Sequence, residues 1–403
     1  MQMISVKKIF STLLFLLLAC LVTGQEKKEK KLSIVPMPII ASNPTLGFAF
    51  GFSPGFTWFM GDKKTTSMSS VLGAFVYTTN RQLLLSLRGN SFLSGDKWNL
   101  MSDFRYQITS QPTYGLGSGS KSSQPIVDDD FEVSDKHYVP VSQMMEYDCI
   151  RIYQTFLKKY KDTRFFFGLG YHLDIISNIN DHLLNLDTVP PIITHHYQYN
   201  TLKNFSTEKN TLSGISLNAM YDSRDNVSNP YSGRYALATF RVNPEFIGSV
   251  RNSSTLWLEY RDYFNLSKTR PRHMIALWTF GWFVTSGDIP YMNLPAVGWD
   301  MFSRSGRAYT SGRVRGEDLA YTEVEYRFPL QKNKESWGGV LFTNMATASS
   351  RTVGTELFQY VNVAFGGGLR YMLNKKNRSN INADYGWGLN GSRGFFLALN
   401  EVF

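Results

Sequence analysis

The chain has 403 residues, of which 15% are aromatic and 18% charged, and a formal net charge of +10 at pH 7. That charged share lies below the ~25% usual for soluble domains, and the basic residues are spread along the chain, which argues against a nucleic-acid-binding patch. The two cysteines, Cys20 and Cys149, exclude a disulfide-stapled fold once Cys20 is assigned to a leader.

From the N-terminus, Lys7 and Lys8 precede an apolar run from Ile9 to Val22 that is broken only by Ser11 and Thr12. Thr23, Gly24 and Gln25 follow, and then a charged stretch from Glu26 to Lys31. Basic, apolar and small-residue regions in that order predict a secretory signal peptide over 1–24. The run is shorter than the ~20 residues of a bilayer-spanning helix. Leu17-Leu18-Ala19-Cys20 is also a loose lipoprotein cleavage box, so lipidation of Cys20 stays open beside cleavage after Gly24. Residues 25–31 read as a short charged periplasmic lead-in and 32–403 as a single domain.

Past residue 32 many segments alternate apolar and polar residues. Ser86, Arg88 and Asn90 oppose Leu85 and Leu87. In 256–263, Leu256, Leu258 and Tyr260 oppose Trp257, Glu259, Arg261 and Tyr263. In 319–328, Val324, Tyr326 and Phe328 oppose Glu323, Glu325 and Arg327. In 381–389, Ile381, Ala383, Tyr385, Trp387 and Leu389 oppose Asn382, Asp384, Gly386 and Gly388. Successive side chains of a strand point to opposite faces. A soluble sandwich alternates too. The aromatic load and the leader favour an all-β transmembrane antiparallel β-barrel in the outer membrane, with lipid outside and a polar lumen.

Fifteen candidate strands are legible, at 46–60, 66–78, 80–93, 97–110, 144–158, 163–177, 209–224, 233–246, 254–267, 272–287, 318–330, 337–350, 360–374, 380–390 and 394–403. Closed single-chain bacterial barrels have even strand numbers, so sixteen are expected, with the missing one at 32–40 or inside 112–142. If the last strand runs towards the periplasm, the long connections 112–142, 178–208 and 288–317 fall outside the cell. The short turns at 61–64, 94–97, 229–233 and 331–336 then fall on the periplasmic side, which supports 32–40. Pro36, Pro38 and Ser53-Pro54-Gly55 are expected at bends or edges.

Particular residues then carry a resemblance. They are Tyr221-Asp222-Ser223-Arg224-Asp225-Asn226 followed by Pro230 and Gly233, the segment 305–330, the glycine-rich strand from Ala364 to Tyr371, Asp384 in NADYGWGL, and the terminal Phe403. In their order and spacing the chain resembles the bacterial surface antigen superfamily, outer-membrane barrels of the BamA/TamA type. The resemblance covers the mature chain and is strongest in its second half. It implies a sixth extracellular loop folded into the lumen and a terminal aromatic that marks outer-membrane barrel clients, here Phe403. The family's loop motif is Arg-Gly-aromatic. Arg307-Ala308-Tyr309 fits by its distance to Glu325, with alanine for glycine; Val314-Arg315-Gly316 fits by letters, with Glu317 for the aromatic. Arg307 with Tyr309 is favoured, and Arg315 with Gly316 is kept. Expected lumen partners are Glu323, Glu325, Arg370, Asp384 and Asn344, the last standing where the family usually has aspartate. An arginine taken out of water needs carboxylates, and its planar fork suits bidentate pairing. Against this latch stands a blander possibility, ordinary charges in a solvated channel.

The histidines, His137, His172, His182, His195, His196 and His273, show no metal spacing, and His195-His196 reads as part of a solvated outer loop. No H-E-x-x-H, G-x-S-x-G or Walker motif occurs. Gly366-Gly367-Gly368 opens no helix, and Asp128-Asp129-Asp130 reads as a solvated loop. The expectation is therefore neither an enzyme nor a cofactor or metal protein. The resemblance implies a barrel that assists insertion or translocation of proteins across the outer membrane. Its partners would be outer-membrane lipid, client outer-membrane proteins or periplasmic accessory proteins. A passive porin-like channel or structural barrel is the alternative, and a barrel enzyme acting on lipid or surface polymer comes third. Larger family members carry periplasmic POTRA modules; 25–31 leaves no length for one, so the chain reads as a short branch without them.

Overall fold

The computed structural model describes residues 32–36, 38–43, 47–79, 81–119, 122, 142–332, 336–375 and 377–403. The leader with Cys20, the lead-in, Asp128-Asp129-Asp130 and His137 lie outside the described residues. The chain divides into a short leading piece, Met1–Ser33, and a body, Ile34–Phe403.

The strands in chain order are β1 (Leu32–Val35), β2 (Pro38–Asn43), β3 (Gly47–Phe52), β4 (Gly55–Trp58), β5 (Ser69–Thr78), β6 (Leu83–Phe92), β7 (Trp98–Tyr114), β8 (Ser142–Lys159), β9 (Phe165–Asp181), β10 (Asn210–Asp222), β11 (Gly233–Asn243), β12 (Ser253–Asn265), β13 (Met274–Ser286), β14 (Asp318–Pro329), β15 (Trp337–Ser349), β16 (Asn362–Asn374), β17 (Ser379–Gly388) and β18 (Arg393–Leu399). Both β3 and β4 pair antiparallel with β5, Phe52 opposite Phe75 and Gly55 opposite Leu72. They are two halves of one strand broken at Ser53-Pro54. Proline offers no N–H to the ladder, and the break is stitched by Ser53 Oγ donating to the Gly73 carbonyl at 2.9 Å. With those halves counted once, β2–β18 make sixteen spans among the described residues, and the missing strand lies at 38–43 rather than over the expected 32–40.

Neighbouring spans from β2 to β18 pair antiparallel in sequence order, and β9 pairs β10 across the long connection between them. The ring is not closed by a ladder. Among the described residues no paired register joins β18 to β2. Both edge strands are short, seven and six residues, and β2 begins on a proline.

The polarity is inverted relative to a soluble protein. Leu217, 63% exposed, lies opposite the equally bare Leu169, and Phe365, Phe395, Leu341 and Leu397 continue the apolar outer surface. On the inner face Asp103, Arg151, Asp174, Glu323, Glu325 and Arg370 are buried. The alternating segments fall as expected: Val324 and Tyr326 face out, while Glu323, Glu325 and Arg327 face in.

Two expectations are corrected. The last strand ends at Leu399, not at the terminus. Asn400 takes φ +65°, a left-handed conformation that asparagine tolerates, and turns Glu401, Val402 and Phe403 into the lumen. His195 and His196 are not solvated. They sit in a helix, α1 (His195–Leu202), each about 1% exposed, with the His196 ring 5.7 Å from that of Tyr291. Thr194 caps this helix, its side chain accepting from the Tyr197 N–H.

Burial pushes both imidazoles down to about 3. Below their ordinary value near 6.5, the unfolded side chains gain protons that the buried ones refuse. The stability contributed by keeping them neutral is therefore present above pH 6.5 and is lost as pH falls towards 3. Faster opening of α1 at pH 5 than at pH 7 is expected, read by amide hydrogen exchange corrected for intrinsic rates.

Candidate functional site

The connection between β13 and β14, residues 287–317, does not stand out in solvent but descends into the barrel. Its two limbs are held together by backbone bonds, from Val297 N to Val314 O at 3.0 Å, Gly312 N to Val297 O at 2.7 Å and Gly316 N to Pro295 O at 3.1 Å. At the bend Gly306 takes φ +78°, and a Cβ there would lie 2.0 Å from Val297 Cγ1, so only glycine fits. Tyr291, Leu294 and Ala296 pack with Leu116, Tyr147 and Ile176 from the wall; Val297 and Val314 pack near Trp278 and Tyr321.

The tip is Arg307-Ala308-Tyr309. Arg307 is 2% exposed. Its Nη1 donates to Asp384 Oδ2 on β17 at 2.8 Å, and its Nη2 donates to the carboxylates of Glu323 and Glu325 on β14. The two glutamates are two residues apart on one strand, so both face the lumen. The guanidinium also lies 3.7 Å over the Phe342 ring. Asn344 Nδ2 donates to the Arg307 carbonyl at 3.0 Å. The aspartate usual at this position could not make that bond, because an ionised carboxylate only accepts.

The network extends beyond the tip. Tyr321 donates to Glu323 Oε2 at 2.5 Å, and Arg327 Nε donates to Glu325 Oε2 at 2.6 Å. Arg370 bridges Asp384 Oδ1 at 2.5 Å and Glu401 Oε2 at 2.8 Å. Every member is buried, so each desolvated charge depends on its partners.

Tyr309 reaches further along the same wall. Its hydroxyl donates to the Val363 carbonyl at 2.6 Å and accepts from the Leu389 N–H at 3.0 Å. A Cβ on Gly388 would lie 2.7 Å from the Tyr309 ring, and one on Gly386 would lie 3.0 Å from Ala308 Cβ. These two glycines of β17 form the seat of the tip. Ala308 itself has φ +90°, in the region that favours glycine. Ala308→Gly is expected to raise stability by about 1 kcal/mol, the strain relieved less the added chain entropy, read as the urea midpoint of unfolding.

The structure separates the two candidate arginines. Arg315 is fully buried at the base of the loop, where Nη1 donates to the Tyr291 carbonyl at 2.8 Å and the guanidinium lies near the Tyr291 and Trp299 rings. Among the described residues no carboxylate is within salt-bridge reach of it. Gly316 beside it is required by space, since a Cβ would lie 1.9 Å from the Ser349 carbonyl oxygen. Arg315→Ala is expected to destabilise by about 1.5 kcal/mol, the loss of one charged hydrogen bond, and to leave the carboxylate network at Arg307 intact. A urea midpoint lowered as far as in Arg307→Ala would contradict that.

Phe403 lies inside the barrel, its ring 5.4 Å from Trp278 and 6.5 Å from Tyr263, while Arg327 Nη2 donates to its carbonyl oxygen at 3.0 Å. Two further holds on the loop were not anticipated. On the wall opposite Glu323, Arg105 Nη2 and Arg88 Nη1 donate to the Met301 carbonyl at 2.8 and 3.0 Å. Arg304 donates to the backbone carbonyls of Leu399 and Glu401, tying loop to tail. The inward orientation of Arg88 was visible in the alternation around it; its loop partner was not. Among the described residues no group of three His, Cys, Asp or Glu side chains is placed to hold a metal.

The Omp85 superfamily domain matches residues 52–395. Among solved structures, BamA from Haemophilus ducreyi lacking POTRA domains 1–3 is similar with a TM-score of 0.56 at 12% identity, covering 93% of this chain and 71% of that one. CdiB from Acinetobacter baumannii is similar with a TM-score of 0.54 at 12% identity, covering 93% of this chain and 60% of that one. At such identities the likeness is one of fold. No curated protein matches the sequence. Omp85 proteins are outer-membrane barrels rather than enzymes. The matched span is well over half of the sequence, and on that ground the chain belongs to the Omp85 superfamily.

Proposed function

We propose that this barrel assists the insertion of proteins into the outer membrane or their translocation across it, as BamA/TamA-type barrels do. The observation that carries the reading is a lumen loop pinned by a buried arginine together with a sheet that is not closed, no paired register joining β18 to β2 among the described residues. An open edge templates the addition of a client strand through main-chain hydrogen bonds. A passive channel gains nothing from such an edge and is hindered by a filled lumen. In this reading Arg307, Glu323, Glu325 and Asp384 form the latch, Asn344 and Arg370 brace it, and Tyr309 wedges the tip against β17. Arg315 and Gly316 shape the base of the loop. The signal peptide over 1–24 directs export. Outer-membrane lipid, client barrels and periplasmic accessory proteins are the partners.

The test is the folding rate of an unfolded client barrel added to lipid vesicles with and without the refolded protein. Faster folding in its presence is expected. Vesicles that gain permeability to small solutes without any change in client folding would replace this reading with the passive channel.

A further inference from the structure

A chamber of about 220 Å³ lies within the barrel and meets the Arg307 network at Glu401. Trp299 and Phe302 of the loop roof it, and Val402 and Phe403 of the tail line its floor with Ser228 of the β10–β11 turn. That turn is fastened across the barrel end by Arg378 donating to Asp225 at 2.7 Å and by Ser228 donating to Ser70 at 3.0 Å.

One wall of the chamber carries an uneven charge. Along β6 to β11 stand Arg88, Arg105, Arg151 and Arg241, against two carboxylates, Asp103 and Asp174. Arg105 is taken by Asp103 at 2.6 Å. Asp174 is shared by Arg151 at 2.8 Å and Arg241 at 3.1 Å, and it also accepts from the Tyr153 hydroxyl at 2.5 Å. Arg88 meets only carbonyl and hydroxyl oxygens, those of Met301, Ser303 and Ser86. Of the other charges, Arg261, Arg224 and Arg304 are matched in number by Glu259, Asp222 and Asp300, and Glu401 of the tail adds one further carboxylate. One positive charge is left over, on the side where Arg151, Arg241, Asp103 and Asp174 are all buried. Neutral acceptors do not offset buried charge; an anion does. Arg88, Arg151 and Arg241 line the free space, but the donors of Arg241 are spent on Asn243, Tyr153, Asp174 and the His172 and Leu212 carbonyls, as those of Arg105 are on Asp103 and the loop, so Arg241 contributes charge while Arg88 and Arg151 contribute donors. Aromatic rings, Trp257 and Trp299 among them, face the same space.

We propose that this chamber binds a phosphate-bearing anion, its head on the donors of Arg88 and Arg151 beside the charge of Arg241 and its remainder against Trp257 and Trp299. The excess of positive charge selects an anion, and guanidinium groups match phosphate oxygens in geometry. The volume exceeds the ~30 Å³ share of a single water several times over, so the head has room for a substituent. Binding here does not depend on whether the barrel inserts proteins or conducts solutes.

The experiment uses the full refolded chain in neutral detergent micelles prepared without phosphate. Inorganic phosphate, glycerol phosphate and dihexanoyl phosphatidic acid are titrated in turn at constant ionic strength. Tryptophan fluorescence reads binding, and the thermal unfolding midpoint reads the fold. Saturable binding is expected, weakened about tenfold or more in Arg88→Gln and in Arg241→Gln and strengthened in Asp103→Asn, which enlarges the positive excess. A merely structural role for these groups would weaken all three variants alike and would overturn the proposal. So would the absence of saturable binding by any of the three probes at millimolar concentration in a folded wild type. Tighter binding of phosphatidic acid than of glycerol phosphate assigns the site to a lipid headgroup, and equal binding assigns it to a soluble phosphate compound.

Discussion

Replacing Arg307 with alanine is expected to destabilise the folded barrel by about 3–5 kcal/mol, the range for removing one partner of a buried ion pair. The side chain holds three carboxylates at once, Glu323, Glu325 and Asp384, in a region closed to water. Without it the two glutamates face each other with only Arg327, Arg370 and Tyr321 to offset them. The ring of Phe342 loses its cation, and Asn344 loses the fixed carbonyl to which it donates. Arg307→Lys recovers only part of the loss, because a single ammonium cannot fork between strands β14 and β17. Urea midpoints of the three proteins in micelles, read by tryptophan fluorescence, order as wild type, lysine, alanine. A midpoint for Arg307→Ala equal to wild type would mean that the carboxylates are solvated and the loop is held elsewhere.

The second large effect is expected at the tail. Glu401 accepts from Arg370 Nε at 2.8 Å and from Asn380 Nδ2 at 2.5 Å, and Arg304 of the loop donates to its backbone carbonyl. Glu401→Ala therefore strips a buried partner from Arg370 without altering the Phe403 side chain, and it is expected to destabilise by about 3 kcal/mol. It also frees the terminal residues that now lie against Trp278. Carboxypeptidase digestion of the folded protein measures this release: Phe403 is retained in wild type and removed from the variant. Equal resistance in both would place the hold on the tail with Arg327 and the aromatic rings rather than with Glu401.

The strands could be read because a barrel turns the usual burial rule inside out while keeping its period of two. Glu323, Glu325 and Arg327 looked wrong for a soluble core and right for a lumen, and they lie there. The break at Ser53-Pro54 was visible for the same local reason, the missing proline N–H. What could not be read lies where periodicity stops. Arg307 and Arg315 sit in one loop, and no repeat says which of them descends to the carboxylates. The distance to Glu325 favoured the former, and the structure brings Arg307 to that side chain. Asn400 was the only mark of the turn that takes Phe403 inside, since 394–403 continues an apolar strand pattern. The polar string at 195–200 hid a buried helix whose one signal was Thr194 as its cap. The hold of Arg88 and Arg105 on the Met301 carbonyl joins residues about two hundred positions apart and leaves no local trace.

The central claim is that the loop carrying Arg307 is latched in the lumen and closes it. Single-channel conductance of the refolded barrel in a planar bilayer, beside Arg307→Ala and Arg315→Ala, tests it most directly. A quiet wild type is expected, with frequent or sustained openings in Arg307→Ala and quiet behaviour retained in Arg315→Ala. A wild type that conducts steadily and is unchanged by either substitution would contradict the latch and leave an open channel in its place.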